Sequence, residues 1–284
     1  MKYLVMGSSG MAGSTIATYL IERGHDVTTF ATSKSKYKKH ITGDAFDQEL
    51  LKKMIYDGNF DIIINCIGIL NQSAEDNKYE AVYLNSLLPH FIAKHIKNSN
   101  TKLIHMSTDC VFSGMKGNYS EIDHRDGDTF YDRTKALGEI EDDRNVTFRN
   151  SIIGPDVNEN GIGLFNWFMK QNQPLSGYET AIWTGVTTLT LAKAMEKAAE
   201  TNLTGLYNLV NNEQINKYEM LKLFNQYFKD NQLEISPVKT VNLNKSLINN
   251  RKDFDFIVPS YEEMICEMKE WVYSHKDMYP HYFM

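Results

Sequence analysis

The sequence predicts a doubly wound α/β fold, a parallel sheet with helices on both faces, followed by a smaller C-terminal lobe. Three observations lead there. Short apolar runs alternate with amphipathic stretches through the first half of the chain. Some of those runs, such as Ile62-Ile-Ile64, are apolar on both strand faces, as strands buried on both sides must be. A glycine-rich turn, Gly7-Ser-Ser-Gly10-Met-Ala-Gly13, directly follows the first run.

Taken in order, residues 2–6 read as a strand and 11–23 as a helix, with Ile16, Tyr19, Leu20 and Arg23 at helical spacing. A second strand is expected over 25–30, a helix over 48–56 and a buried strand over 60–65. One long helix is expected over 79–97, a strand over 102–106, a helix over 131–141 and a strand over 146–149. Such alternation, with right-handed crossovers, gives a sheet whose ligands sit beyond the carboxyl ends of its strands. After Gly154-Pro155 the rhythm breaks. Residues 156–184 are loop-rich, helices are expected over 189–200, 217–229 and 261–273, and short strands over 206–210 and 235–241. The expected division is a dinucleotide-binding part over 1–155 and a substrate lobe over 156–284, some of whose segments return to the first sheet.

Composition narrows the function classes. The chain has 284 residues, 30 basic and 36 acidic side chains and a net charge of −6, which argues against a nucleic-acid binder held by a basic face. No apolar run reaches the length of a membrane helix, and the opening run is too short for a signal-peptide core, so a cytoplasmic protein is expected. Cys66, Cys110 and Cys266 are scattered, and no histidine pair has zinc-ligand spacing, so no metal is expected.

Glycines at 7, 10 and 13 permit a tight turn, close backbone approach to a pyrophosphate and close helix–strand packing. With Ser9 and Met11 they open a helix whose N-terminal N–H groups favour phosphate. The spacing differs from the simplest dinucleotide fingerprint, but its place after the first strand points to a dinucleotide. No acid ends the second strand to accept a ribose hydroxyl. Ser33 and Lys34, with Lys36 beyond, stand there instead and favour NADPH, with NADH an alternative. Asp44, followed by Ala45, either meets the adenine amino group or closes a capping turn. Cys66 and Gly68 end the buried strand, where small residues let the chain pass close to a cofactor.

Tyr131 and Lys135 stand at i and i+4 and share a helix face. A nearby ammonium and the positive nicotinamide ring favour the phenolate, so the tyrosine is expected to be tuned downward for proton exchange with a carbonyl oxygen or an alcohol. Ser107 and Thr108, at a strand's carboxyl end, are the hydroxyls expected to orient that oxygen, or to cap a turn. Trp183 and Asn166, in the loop-rich region, are candidates for nucleotide-sugar contact.

These residues carry a resemblance. The segments GSSGMAG at 7–13, INCIG at 64–68, HMSTDCVFSG at 105–114, YDRTKALGE at 131–139 and RNSIIGP at 149–155 resemble the extended short-chain dehydrogenase/reductases. They are most similar to the dTDP-4-dehydrorhamnose reductase group. The resemblance implies a Rossmann-type sheet, Asn85 among the cofactor contacts, Asp109, Val111 and Phe112 at the substrate, and NAD(P)H-dependent reduction of a 4-keto sugar nucleotide for surface polysaccharide. Position 110 is Cys where an aromatic is common, and Thr187-Thr188 replaces the usual Pro-Thr. Dehydratases of this superfamily carry an acid pair after the threonine, whereas this chain has only Asp109 before Cys110. A nucleotide-sugar epimerase and a non-catalytic dinucleotide-binding subunit are the alternatives. The expected partners are a nucleotide sugar and, at most, a second copy of the chain in a homodimer.

Overall fold

A computed structural model describes residues 1–283. Its first half runs β1 (Lys2–Met6), α1 (Met11–Glu22), β2 (Asp26–Ala31), β3 (His40–Thr42), α2 (Gln48–Gly58), β4 (Ile62–Asn65), α3 (Asn71–Asp76), α4 (Lys78–Ala81), α5 (Leu88–Ile96), β5 (Lys102–Ser107), α6 (Phe130–Leu137) and β6 (Val146–Arg149). The second half follows as β7 (Ser151–Ile153), α7 (Leu164–Met169), β8 (Leu175–Tyr178), β9 (Ala181–Trp183), β10 (Gly185–Thr187), α8 (Thr188–Ala199), β11 (Gly205–Asn208), β12 (Ile215–Asn216), α9 (Lys217–Phe228), β13 (Ile235–Val238), β14 (Leu243–Asn244) and α10 (Tyr261–Ser274).

Seven strands form one parallel sheet in the order β11-β6-β5-β4-β1-β2-β3. The strand order reverses between β1 and β4, which opens a crevice at their carboxyl ends. Register brings the strand ends level: Met6 lies beside Asn65, and Ser107 beside Arg149. Strand side chains alternate between two cores. Tyr3 and Val5 pack with Ile16 and Leu20 of α1, while Leu4 and Met6 pack with Leu51 of α2 and Ile92 of α5. Each such side chain, fully buried, contributes about 1.5–3 kcal/mol over exposure.

The later residues do not stand apart from this sheet. β11 adds its seventh strand beside β6. α8 lies against α1, where Tyr19, Arg23 and His25 converge on Glu196 at 2.7–3.0 Å. Thr187, in place of the usual proline, caps α8 by accepting from the Thr190 N–H at 3.2 Å.

The expected helix over 79–97 is interrupted. Between α4 and α5 the backbone widens into a π turn over Val82–Leu87, with the Leu88 N–H bonding the Tyr83 carbonyl. Pro89 has no N–H to give the Asn85 carbonyl, so the i+4 bond there cannot form. α6 ends at Leu137 rather than at 141, and Gly138 at its C-cap passes over that same carbonyl. A Cβ on Gly138 would fall 1.9 Å from Asn85 O. Gly138→Ala should therefore destabilise the protein by about 1–3 kcal/mol through overpacking, read as a lower urea midpoint at unchanged m-value.

Candidate active site

The crevice opens into a cleft of about 550 Å³. The glycine turn and start of α1 form one wall. Met106 to Cys110 and α6 form another, and a loop over 156–163 forms the third. A side recess of about 240 Å³ continues past Gly7, Asp44 and Ala45. A second, of about 440 Å³, holds Ser33 and Lys34.

The glycine turn is built by close approach. Gly7 has φ +82°, and a Cβ there would meet the backbone of Cys66 at 3.0 Å. A Cβ on Gly13 would fall 2.2 Å from Gly7 O, so only glycine lets α1 start so near the turn. No side chain caps α1 and no acid occupies its first turn, which leaves its first N–H groups turned to the cleft. Ser9, Gly10, Met11 and Gly13 all line that cleft, as do Cys66 and Gly68. Burial pushes the Cys66 thiol up to about 12, so it stands there as a small neutral group. Asp44 both lines its recess and closes a turn, accepting from the Phe46 N–H at 3.0 Å.

Opposite stand Tyr131 and Lys135 on α6. A capping box places the helix: Thr129 accepts from the Asp132 N–H at 3.1 Å, and Asp132 accepts from the Thr129 N–H. Lys135 Nζ donates to the Met106 carbonyl at 2.8 Å, and burial lowers its pKa to about 8. The protein's own groups do not tune Tyr131 downward. Burial is the largest influence and raises its pKa, Cys110 and Asp109 add to that, and the Thr108 hydroxyl opposes it. The phenol thus keeps its proton at neutral pH.

Several expected ligand contacts prove structural. Ser107 lines the cleft, and its hydroxyl donates to Glu139 Oε1 at 2.6 Å. Thr108 lies beside Tyr131; its hydroxyl donates to Asp109 Oδ1 at 3.1 Å and caps the next turn by accepting from the Cys110 N–H at 3.2 Å. Val111 and Phe112 do not reach the cleft. Both are fully buried, and Phe112 stacks on Tyr119 with centroids 4.1 Å apart. Trp183 is also core, packed on Tyr261. Asn166 is buried behind the cleft, where its amide donates to the carbonyls of Glu159 and Gly161 at 2.9 and 2.7 Å and shapes the third wall. Asn85 likewise acts through the chain: it brackets Ile69 with two 2.9 Å bonds and donates to Thr134 Oγ1 at 3.1 Å, pinning the loop after β4 to α6. Asp109 does line the cleft, held by Ser151 at 2.7 Å.

Sequence reasoning missed Asn150. It lines the cleft, and its Oδ1 is buried with no hydrogen-bond partner, an acceptor that a ligand hydroxyl would satisfy. Only its place in RNSIIGP, after a strand end, marked it. Among the described residues no group of three His, Cys, Asp or Glu side chains could hold a metal ion, and no helix is long and apolar enough to cross a membrane.

Behind the site lies a buried charge network. Arg149, fully buried, donates from Nε and Nη2 to the two carboxylate oxygens of Glu139 at 2.9 and 2.7 Å, and Arg125 joins the same carboxylate. Burial alone would raise the Glu139 pKa, but Arg149, Arg125 and Ser107 together hold it below the ordinary value.

Residues 1–253 match the family model described as the RmlD substrate binding domain. The chain belongs to that family. Among curated relatives it is 29% identical over 141 residues to a dTDP-4-dehydrorhamnose reductase of Mycolicibacterium smegmatis, a match covering 49% of this chain and 40% of the relative. It is 29% identical over 143 residues to a probable low-salt glycan biosynthesis reductase of Haloferax volcanii, covering 49% and 48%. The chain thus spans less than half the length of the curated relatives it matches. In fold it is similar to the Bacillus anthracis dTDP-4-dehydrorhamnose reductase solved in complex with NADP, with TM-score 0.79, 20% identity and coverage of 94% and 98%. The RmlD family match spans the cleft and all three of its walls.

Glu139→Gln should cost about 3–5 kcal/mol near neutral pH by leaving the buried Arg149 guanidinium without a counter-charge, while Arg125 keeps its pair with Glu141. The carboxyl's folded pKa is depressed, so its contribution is full above the ordinary Glu value of about 4.3 and is lost as pH falls through the folded pKa. Urea midpoints of wild type and variant should therefore converge on acidification below about pH 4.

Proposed function

We propose that this protein reduces the 4-keto group of a 4-keto-6-deoxy sugar nucleotide with NAD(P)H, in activated deoxysugar synthesis for surface polysaccharide. The observation that carries the reading is one cleft with the glycine turn and uncapped α1 at one end and Tyr131, Lys135 and Thr108 at the other. Residues 1–155 hold the dinucleotide, and the lobe over 156–284 holds most of the sugar nucleotide. The family's named reductases, including one solved with NADP, support both parts of this reading.

The residues present fit a dinucleotide. Gly10 leaves room for a pyrophosphate against the first N–H groups of α1, Gly13 lets that helix start close to the turn, and Ser33 and Lys34 suit a 2′-phosphate. When bound, the reduced nicotinamide supplies the hydride. Tyr131 gives its phenolic proton to the oxygen of the carbonyl being reduced, since burial keeps that proton in place at neutral pH. Thr108 orients the same oxygen. Lys135, fixed to the Met106 carbonyl, directs its remaining N–H donors to the nicotinamide ribose. Asn150 accepts from a sugar hydroxyl. Cys110 lines the cleft as a thiol pushed up to about 12, so no second acid accompanies Asp109, and the site is equipped for reduction rather than elimination.

Purified protein given a 4-keto-6-deoxy sugar nucleotide and NADPH should consume one cofactor per sugar, with a mass gain of about two units. Tyr131→Phe should keep cofactor binding and lower turnover by roughly 10²–10⁴. Near-wild-type turnover by that variant would remove Tyr131 from the reaction. NADPH should bind more tightly than NADH, and replacing Lys34 and Lys36 by Ala should narrow the gap; fluorescence titration reads both.

A further inference from the structure

The recess that holds Ser33 and Lys34 has a wall drawn from the far end of the chain. After α10 a hook over residues 275–283 folds back on α1, and Asp277 and Met278 line the same recess as Ser33, Lys34 and Lys36. The hook is fixed at several points. His275 Nε2 and Glu22 Oε1, at the end of α1, lie 2.8 Å apart. Met278 is buried, with its sulfur 3.6 Å from Thr18 Oγ1. The buried Tyr279 accepts from Trp271 Nε1 at 3.1 Å, and Tyr282 accepts from the Asp156 N–H at 2.9 Å. Asp277 itself is exposed and has no ion-pair partner among the described residues.

A recess for the adenosine ribose that selects NADH offers a carboxylate to the 2′-hydroxyl, and one that selects NADPH offers cations to the 2′-phosphate. The end of β2 lacks the acid. Here two lysines from the β2–β3 loop and one carboxylate from the hook face a single recess. We propose that Asp277 is a cofactor-specificity residue, the acceptor for the ribose 2′-hydroxyl of NADH, and that its charge opposes the 2′-phosphate of NADPH. It tempers the preference set by Lys34 and Lys36 and gives the protein access to both cofactors. This rests on the reductase reading, because it takes the recess to be the cofactor's.

The test is the dissociation constant of NADH and of NADPH, measured at one fixed salt concentration for wild type, Asp277→Ala and Asp277→Asn. Asp277→Ala should weaken NADH and tighten NADPH, each by about two- to fivefold, the range an exposed charge supplies. Asp277→Asn should keep most of the NADH affinity, because its amide oxygen still accepts, while tightening NADPH as the alanine variant does. Opposite signs on two ligands are not what a merely structural change would give. If wild type binds both cofactors and Asp277→Ala leaves their ratio unchanged, or both affinities fall together, the inference about Asp277 is overturned and the reductase reading stands. If wild type binds neither, both fall.

Discussion

The buried Glu139 carboxylate is the joint on which the site depends. It follows α6 in the chain and is gripped by Arg149 from the end of β6, by Ser107 from the end of β5 and by Arg125 from the loop between them. A carboxylate so far from water is tolerated only because its oxygens are matched by guanidinium and hydroxyl donors. In return it fixes the C-terminal end of α6 against two strand ends at once. Lys135 lies about one turn, and Tyr131 a little over two turns, from that anchor. Their reach into the cleft is thereby set by the sheet rather than by a flexible loop, which is what the proposed role of Tyr131 as proton donor requires.

A second constraint is backbone crowding. Gly138 meets the Asn85 carbonyl in the π turn, and Gly13 meets Gly7 at the start of α1. Both contacts bring two main chains closer than any side chain would allow. The first draws α6 toward the loop after β4, through Asn85 and its bonds to Ile69 and Thr134. The second draws α1 onto the end of β1. The two halves of the cleft are each held to the same crevice, between β1 and β4, by contacts that leave no slack.

Burial also sets the protonation logic. Tyr131 and Lys135 are both nearly inaccessible, and burial favours the neutral form of each. The phenol keeps its proton and the ammonium holds its own more loosely. Partnership alone, read from an i and i+4 spacing, predicted the opposite direction for the tyrosine. The depth of the helix in the protein decides the sign.

Local chemistry was legible in the sequence wherever its cause is local. Alternating periods gave the parallel sheet, the glycine spacing gave the turn and the start of α1, and Tyr131, Lys135 and Thr108 stood at positions that strand ends and helix faces bring to one crevice. Val111, Phe112, Asn166, Trp183 and Asn85 do not line the cleft, and Ser107 lines it while bonded to a carboxylate behind it, because nothing in their neighbours along the chain says what lies across from them. Ser107 faces a glutamate, Phe112 a tyrosine and Asn166 its own loop's carbonyls. The π turn was equally hidden, although Pro89 was its local cause, since the Gly138 contact that accompanies it comes from another helix. The hook that carries Asp277 to the lysines of the β2–β3 loop joins the two ends of the chain, and no periodicity encodes such a meeting. Sequence settles what each segment can form from its own neighbours; which side chains meet across segments is decided only when burial, charge matching and close packing are satisfied together.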